Sequence, residues 1–173
     1  MNLNNIKMKI EWMETHMREA EKMITDNQVN EGMAVLNQLL FEEPGYASLH
    51  NHIGWAHLYY TAENERAEQH LKLAIKFGIP FPAPYQHLGV LFTRLGRYDE
   101  ALEILNEGLK QPAASRPIFW EGIAQAHELK REYGNAIHAY KEAMASSLGT
   151  ESTHYAEGIK RCRKKRWVMM FTF

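Results

Sequence analysis

The stretch YQHLGVLFTRLGRYDEALEILNEGL, residues 85–109, decides the fold. Its apolar residues form two runs with the i, i+3, i+4 spacing of one helix face, as in Ala101, Ile104 and Leu105. Leu95-Gly96 separates the two runs, and a glycine at such a joint favours a tight turn. The stretch therefore predicts two short helices joined by a turn.

The same pattern recurs along the chain. An aromatic, an aliphatic and a small residue stand at Tyr85, Leu88 and Gly89 and, 35 residues later, at Trp120, Ile123 and Ala124. Earlier copies follow at offsets of 34 or 35 residues, and the turn around Thr61–Glu65 holds one extra residue. We predict helix pairs at about 10–43, 46–77, 83–111 and 116–146, and a closing helix at about 151–167.

Small residues occupy equivalent positions on both helices of each pair. They are Ala20, Gly54, Gly89 and Ala124 on the first helices and Gly32, Ala67, Ala101 and Ala136 on the second. Small residues on facing surfaces allow two helices to cross closely. Since one pair leaves an apolar face uncovered, neighbouring pairs must stack to bury it.

This pattern resembles the tetratricopeptide repeat, whose consensus W-x2-L-G-x2-Y, followed by Ala, Phe and Pro, spans about 34 residues. Tyr85, Leu88, Gly89, Phe92 and Ala101 match it closely. The resemblance implies an all-α fold, a right-handed α-α superhelix (solenoid) of about four helix pairs with a C-terminal capping helix. It implies a single domain over 1–173, with repeats at roughly 13–46, 47–81, 82–116 and 117–151 and the capping helix with the tail at 152–173.

Composition excludes several classes of protein. Of the 173 residues, 45% are hydrophobic and 24% charged, which is typical of a globular chain. One cysteine, Cys162, excludes an intramolecular disulfide and a multi-cysteine metal site. No apolar run is long enough for a membrane span, and the N-terminus lacks a signal-peptide core. We expect a cytoplasmic protein.

No motif indicates catalysis. The sequence lacks a phosphate-binding glycine loop, G-x-S-x-G and H-E-x-x-H. Six of the nine histidines fall in three pairs at equivalent repeat positions, whereas a metal site needs three or four converging ligands. Cys162 lies among bases, which predicts a lowered pKa and a more reactive thiol. We expect a protein that is not an enzyme and has neither cofactor nor metal.

The resemblance implies that the first helix of each repeat lines a concave, peptide-binding surface. Carried onto this chain, the groove positions that we select are Met17, Glu21, Asn51, Trp55, Tyr59, Gln86, Val90, Arg94, Glu121, Gln125 and Glu128. Trp55 and Tyr59, one turn apart, predict an aromatic shelf, and the alternative for Trp55 is packing against a neighbouring repeat. The acidic ends favour a basic or apolar-aromatic segment, and the cations that grip chaperone C-termini in some family members are missing.

A basic cluster precedes an apolar C-terminal segment. Outside the cluster 14 bases face 21 acids, so residues 1–159 carry a net charge of −7. The interaction tail that we predict comprises Lys160, Arg161, Arg163, Lys164, Lys165, Arg166, Trp167, Phe171 and Phe173. The tail could cap its own last repeat, form a solvated helix end, or dock on another copy and give a homodimer. Nucleic acid or an anionic membrane is a weaker alternative, because the cluster is short and the rest of the chain is acidic.

Taken together, the sequence predicts a non-catalytic adaptor or scaffold that binds a peptide segment of a protein partner in its groove. The alternatives are a small secretion or assembly chaperone of the same repeat type, and a protein that associates with itself through the tail.

Overall fold

The computed structural model describes residues 3–78, 81–149 and 152–171. These residues form nine α-helices and no strand. The helices are α1 (Leu3–Thr25), α2 (Val29–Glu42), α3 (Ala47–Ala56), α4 (Asn64–Phe77), α5 (Ala83–Arg94), α6 (Tyr98–Leu109), α7 (Arg116–Leu129), α8 (Tyr133–Ser146) and α9 (Ser152–Met170). The predicted all-α fold, with four helix pairs and a closing helix, is confirmed.

The chain divides into two compact units, residues 1–79 and 80–173. In the first, α1 packs on α2, α2 on α3 and α3 on α4. In the second, each helix from α5 to α8 packs on the next, α8 packs on α9, and α5 also contacts α7. Each unit is thus a stack of consecutive helices. The assignment of 1–173 to one domain stays a prediction.

Glycines allow the close approach of paired helices. A Cβ added at Gly54 on α3 would lie 2.8 Å from Leu71 Cδ2 on α4, and one added at Gly89 on α5 would lie 3.1 Å from Leu105 Cδ1 on α6. Real Cβ contacts are seldom this short, so the glycines make room for the leucines. The small positions of the repeat therefore act as the sequence predicts.

The extra residue of the second repeat is absorbed within a helix. The segment His57–Thr61, which continues α3, is a π-helical turn with i→i+5 spacing, here named the π-turn. It ends at Ala62, which adopts the left-handed conformation with φ 55°. The wider turn lengthens this repeat by one residue before α4 begins.

The other three turns within helix pairs share one geometry. Asn27, Gly96 and Arg131 each follow the first helix of a pair and have φ values of 67°, 74° and 68°. At Gly96 the amide donates to Thr93 O at 3.2 Å and the next amide, of Arg97, donates to Phe92 O at 2.9 Å. These two bonds form a Schellman motif, which satisfies the last carbonyls of the helix.

Candidate functional site

A groove of about 460 Å³ lies in the second unit, between α5 and α7. It is lined by Gln86, Gly89, Val90, Thr93 and Arg94 from α5, Leu105 from α6, and Ile118, Glu121, Gly122, Gln125 and Leu129 from α7. We call it the α5–α7 groove. Five of the predicted positions, Gln86, Val90, Arg94, Glu121 and Gln125, line this one cavity.

The floor of the α5–α7 groove is apolar. Leu105 reaches between Gly89 and Gly122, so that a Cβ on Gly122 would lie 3.2 Å from its methyl groups. The side chains of Ile118 and Leu129 line the same groove and are exposed. Because covering exposed aliphatic side chains lowers the free energy of the complex, this surface favours an apolar ligand side chain.

The polar contacts of the α5–α7 groove centre on Glu121. Its Oε1 accepts a hydrogen bond from Gln125 Nε2 at 2.9 Å and lies 2.9 Å from Nε2 of His154, on α9. These contacts hold the carboxylate in place at the groove. His154 was missed in the sequence, although the register that aligns Tyr155 with Trp120 was a signal that could have placed it beside α7.

Glu128 has a different role from the one predicted. It is 7% exposed. Its carboxylate accepts hydrogen bonds from Arg161 Nε and Nη2 at 2.7 Å each, from Lys165 Nζ at 2.8 Å and from the Tyr140 hydroxyl at 3.1 Å. Glu128 therefore fastens α9 to α7 and α8 and does not line the α5–α7 groove.

Titration of Glu128 reflects this network. Burial by itself raises the pKa of the carboxyl group. The hydrogen bonds and charges of Arg161 and Lys165 outweigh burial and lower the pKa of Glu128 to about 2. The ion pair is therefore intact at neutral pH, and two cations predicted to belong to an interaction tail are bound within the chain.

In the first unit, one predicted groove residue is buried and another is exposed. Met17 is fully buried with Met13, Ala20 and Ile24 on the core side of α1, so it is a core residue and not a groove residue. Glu21 is exposed, and its Oε2 lies 3.7 Å from Nε2 of His52.

Tyr60 lies beside Trp55, and the predicted aromatic shelf of Trp55 with Tyr59 stays a prediction. Trp55 is partly buried against the core of the first unit, and its ring centroid lies 5.0 Å from that of Tyr60. The π-turn supplies the reason, because its i→i+5 spacing brings Tyr60 to the place where an α-helix would put Tyr59. Tyr59 is exposed. Asn51 is partly buried, and its Oδ1 has no hydrogen-bond partner among the described residues.

The tail is half attached and half exposed. Tyr155, Gly158, Ile159 and Cys162 form the buried face of α9, and the Tyr140 ring on α8 packs against Gly158. The remaining basic residues of the cluster are exposed; they are Lys160, Arg163, Lys164 and Arg166. The rings of Trp167 and Phe171 are also exposed and lie 4.8 Å apart. Phe173 lies outside the described residues.

The expected reactive thiol is not found. Cys162 is fully buried. Burial, reinforced by the carboxylate of Glu128, raises the pKa of Cys162 to about 11. The charges of Arg161 and Lys165 act to lower the pKa of Cys162, but burial and the Glu128 carboxylate outweigh them. The prediction of a lowered pKa was wrong.

A histidine pair joins α3 to α4. His50 Nε2 lies 2.9 Å from the carbonyl oxygen of Pro44, which only accepts, so Nε2 carries a proton. In neutral His50, Nδ1 then accepts from Nδ1–H of His70 at 3.0 Å. Burial, with the neighbouring His50, His57 and Arg66, lowers the pKa of His70 to about 4. Within the described ranges, no three His, Cys, Asp or Glu side chains are placed to hold a metal ion.

Helical hairpins that pack on their neighbours, with a groove lined by the first helix of successive pairs, define the class of α-helical repeat proteins. Residues 83–113 match the family model of the tetratricopeptide repeat. Comparison with curated proteins finds no significant match. Across the described part of the chain, no helix has the length and apolar character that a membrane span requires.

Solved structures of repeat proteins share the fold. Pseudomonas aeruginosa PilF superposes with a TM-score of 0.80 at 14% identity, covering 90% of this chain and 69% of that one. TTC0263, a thermophilic TPR protein of Thermus thermophilus, gives 0.71 at 18% identity over 85% and 81% of the two chains. A structure of MamA gives 0.69 at 19% identity over 82% and 76%. Residues 83–113 thus match the tetratricopeptide repeat, and the described residues share the fold of these solved structures; proteins built of this repeat generally bind other proteins and are generally not catalytic.

Proposed function

We propose that this chain is a non-catalytic adaptor that binds a peptide segment of a partner protein in the α5–α7 groove. The observation that carries the proposal is the convergence of predicted groove residues on one open cavity with an apolar floor and a fixed carboxylate. Aliphatic side chains supply contact area there, and amides supply donors and acceptors for a peptide backbone.

The ligand that fits best is an apolar or aromatic side chain with a basic residue beside it. Ile118 and Leu129 are exposed, and Leu105 closes the floor between two glycines. Glu121 offers a carboxylate that is already oriented by Gln125, so an incoming cation meets an acceptor with little loss of side-chain freedom. The same surface would serve a small secretion or assembly chaperone, which also holds a segment of another chain.

The test is the recovery of cross-linked partners from the native cell, identified by mass spectrometry. Val90→Arg fills the groove and Glu121→Lys reverses its fixed charge, so both should remove groove-dependent partners. Glu103→Lys, the same charge change at an exposed position on α6 outside the groove, is the matched control. If partner recovery is unchanged in both groove variants, while circular dichroism shows both folded, the proposal fails.

A second candidate, self-association through the tail, is favoured by one observation. Trp167 and Phe171 are 61% and 69% exposed although both are large and aromatic. Removing residues 167–173 leaves the buried face of α9 intact and deletes these rings. A dimer that becomes a monomer by light scattering would support self-association, and an unchanged mass would exclude the tail from it.

A further inference from the structure

A second concave surface lies between the α7–α8 turn and the C-terminal half of α9. Two cavities of about 600 Å³ and 310 Å³ both reach Arg131, Tyr133 and Met169 and so adjoin each other. We call this surface the basic pocket. Its other lining residues include Lys164, Arg166 and Val168.

Both walls of the basic pocket are fixed in position. On one side, the Schellman motif that ends α7 holds Arg131, whose amide donates to Glu128 O at 3.1 Å. On the other side, α9 is anchored by the hydrogen bonds of Arg161 and Lys165 to the Glu128 carboxylate. A site whose walls are already ordered loses little entropy when it binds a ligand.

The cations of the basic pocket outnumber the acids that can neutralise them. Glu128 is fully occupied by Arg161, Lys165 and Tyr140. At the rim, Glu132 pairs with Lys130 at 2.9 Å and with His127 at 2.7 Å. No ion pair within the described residues involves the three remaining cations of the pocket, which are Arg131, Lys164 and Arg166.

The basic pocket also has an apolar part. Val168 and Met169 lie one helical turn beyond Lys164 and Lys165, and Tyr133 faces them from the start of α8. A methionine side chain adapts its shape to different apolar ligands. The surface therefore combines cations with apolar side chains inside a concavity.

We propose that the basic pocket docks an acidic peptide segment of a partner protein, with carboxylates on both sides of one apolar side chain. The carboxylates would pair with Arg131, Lys164 and Arg166, and the apolar side chain would cover Val168 and Met169. The concave shape favours a peptide over a bilayer surface or a nucleic-acid backbone, because neither of those enters a pocket of this size to reach apolar side chains. The ligand is opposite in charge to the one proposed for the α5–α7 groove, so the two sites would select different segments.

The experiment uses fluorescence anisotropy with the full chain and a labelled peptide, acetyl-Glu-Glu-Leu-Glu-Glu-amide, at physiological salt. We expect saturable binding that weakens by about tenfold in Lys164→Glu and in Arg166→Glu, since a like charge then faces the carboxylates. Arg163→Glu is the matched control, because it makes the same charge change at the adjacent exposed position outside the pocket. Its affinity should change by no more than about twofold.

Other outcomes would overturn the proposal. Equal loss of affinity in Arg163→Glu and Lys164→Glu would mean that charge alone, without the pocket, attracts the peptide. Replacing the peptide leucine by serine should weaken binding. An unchanged affinity would show that the leucine makes no apolar contact in the basic pocket. Absence of peptide binding, or stronger binding to phosphatidylserine-containing vesicles or to poly(U) RNA than to the peptide, would also refute it. Failure of this site would leave the α5–α7 groove untouched, since Val90→Arg and Glu121→Lys test that groove separately.

Discussion

Replacing Glu128 by Gln removes the charge that fastens α9 to the rest of the second unit. Arg161 donates two hydrogen bonds to this carboxylate and Lys165 donates a third. Glutamine keeps the shape of the side chain, but its amide nitrogen only donates, so one of the two oxygen acceptors is lost. The variant therefore removes the charge of the contact together with part of its hydrogen bonding.

The expected loss of unfolding free energy in Glu128→Gln follows from the lowered pKa of Glu128. A pKa lowered from 4.5 to about 2 corresponds to a stabilisation of about 3 kcal/mol as an upper limit. The side chains of Arg161 and Lys165 are 48% and 46% exposed, so they regain water when the carboxylate is lost. After this allowance, we expect Glu128→Gln to cost about 2 kcal/mol of unfolding free energy at neutral pH.

The assay is urea denaturation followed by circular dichroism, with Glu157→Gln, an exposed position on α9, as the control. Since the folded-state pKa of Glu128 is lowered, its contribution is complete above pH 4.5 and is lost as the pH falls towards 2. The difference between wild type and Glu128→Gln should therefore shrink between about pH 5 and pH 3. A cost below about 0.5 kcal/mol, or a difference that stays constant over this range, would refute the reasoning.

Three further predictions test other parts of the fold. Because the pKa of His70 is lowered to about 4, the unfolded chain binds protons that the folded chain does not, so stability should fall by up to about 3 kcal/mol from pH 6.5 to 4. His70→Phe should flatten that slope in urea titrations, and an unchanged slope would contradict the assignment. Gly108→Ala should cost about 1–2 kcal/mol, because its Cβ would lie 2.8 Å from Phe119 Cζ; Gly134→Ala, which meets nothing within 4 Å, should be neutral or gain up to about 1 kcal/mol. Equal stability of these two variants would show that crowding at Gly108 does not destabilise the fold. Gly96→Ala should lower the free energy of unfolding by about 1 kcal/mol through its φ of 74°, and calorimetry showing no loss would contradict it.

The helices were predictable because the repeat aligns apolar and small residues in several copies. Where a copy matches the repeat poorly, its helix bounds and its buried residues are harder to predict. The helix α1 begins at Leu3 and not near residue 10 as predicted. Its first turns are exposed, with Leu3 82% exposed, so they carry no core periodicity from which the sequence could predict a helix. In the same helix the buried face comprises Met13, Met17, Ala20 and Ile24, so Met17 belongs to the core.

The candidate site was predictable only where helix geometry is regular. In the second unit α5 and α7 follow the repeat, and five predicted residues line the groove. The pairing of Glu128 with Arg161, 33 residues apart, depends on how α9 packs, which no repeat position specifies. The pairing of Trp55 with Tyr60 depends on the π-turn, and the sequence shows the extra residue without showing which helix contains it.

The π-turn shows how a stack of repeats can tolerate a change in length. Its wider coil takes up a whole residue at the end of one helix, so α3 and α4 still meet through Gly54 and Leu71 as the shorter pairs meet through their own small residues. Removing one residue from His57–Thr61 would return this repeat to the length of its neighbours. It would also shift the aromatic residues beside Trp55 by one position along the helix. A single deletion would therefore change which rings contact Trp55 while leaving the packing of the hairpin in place.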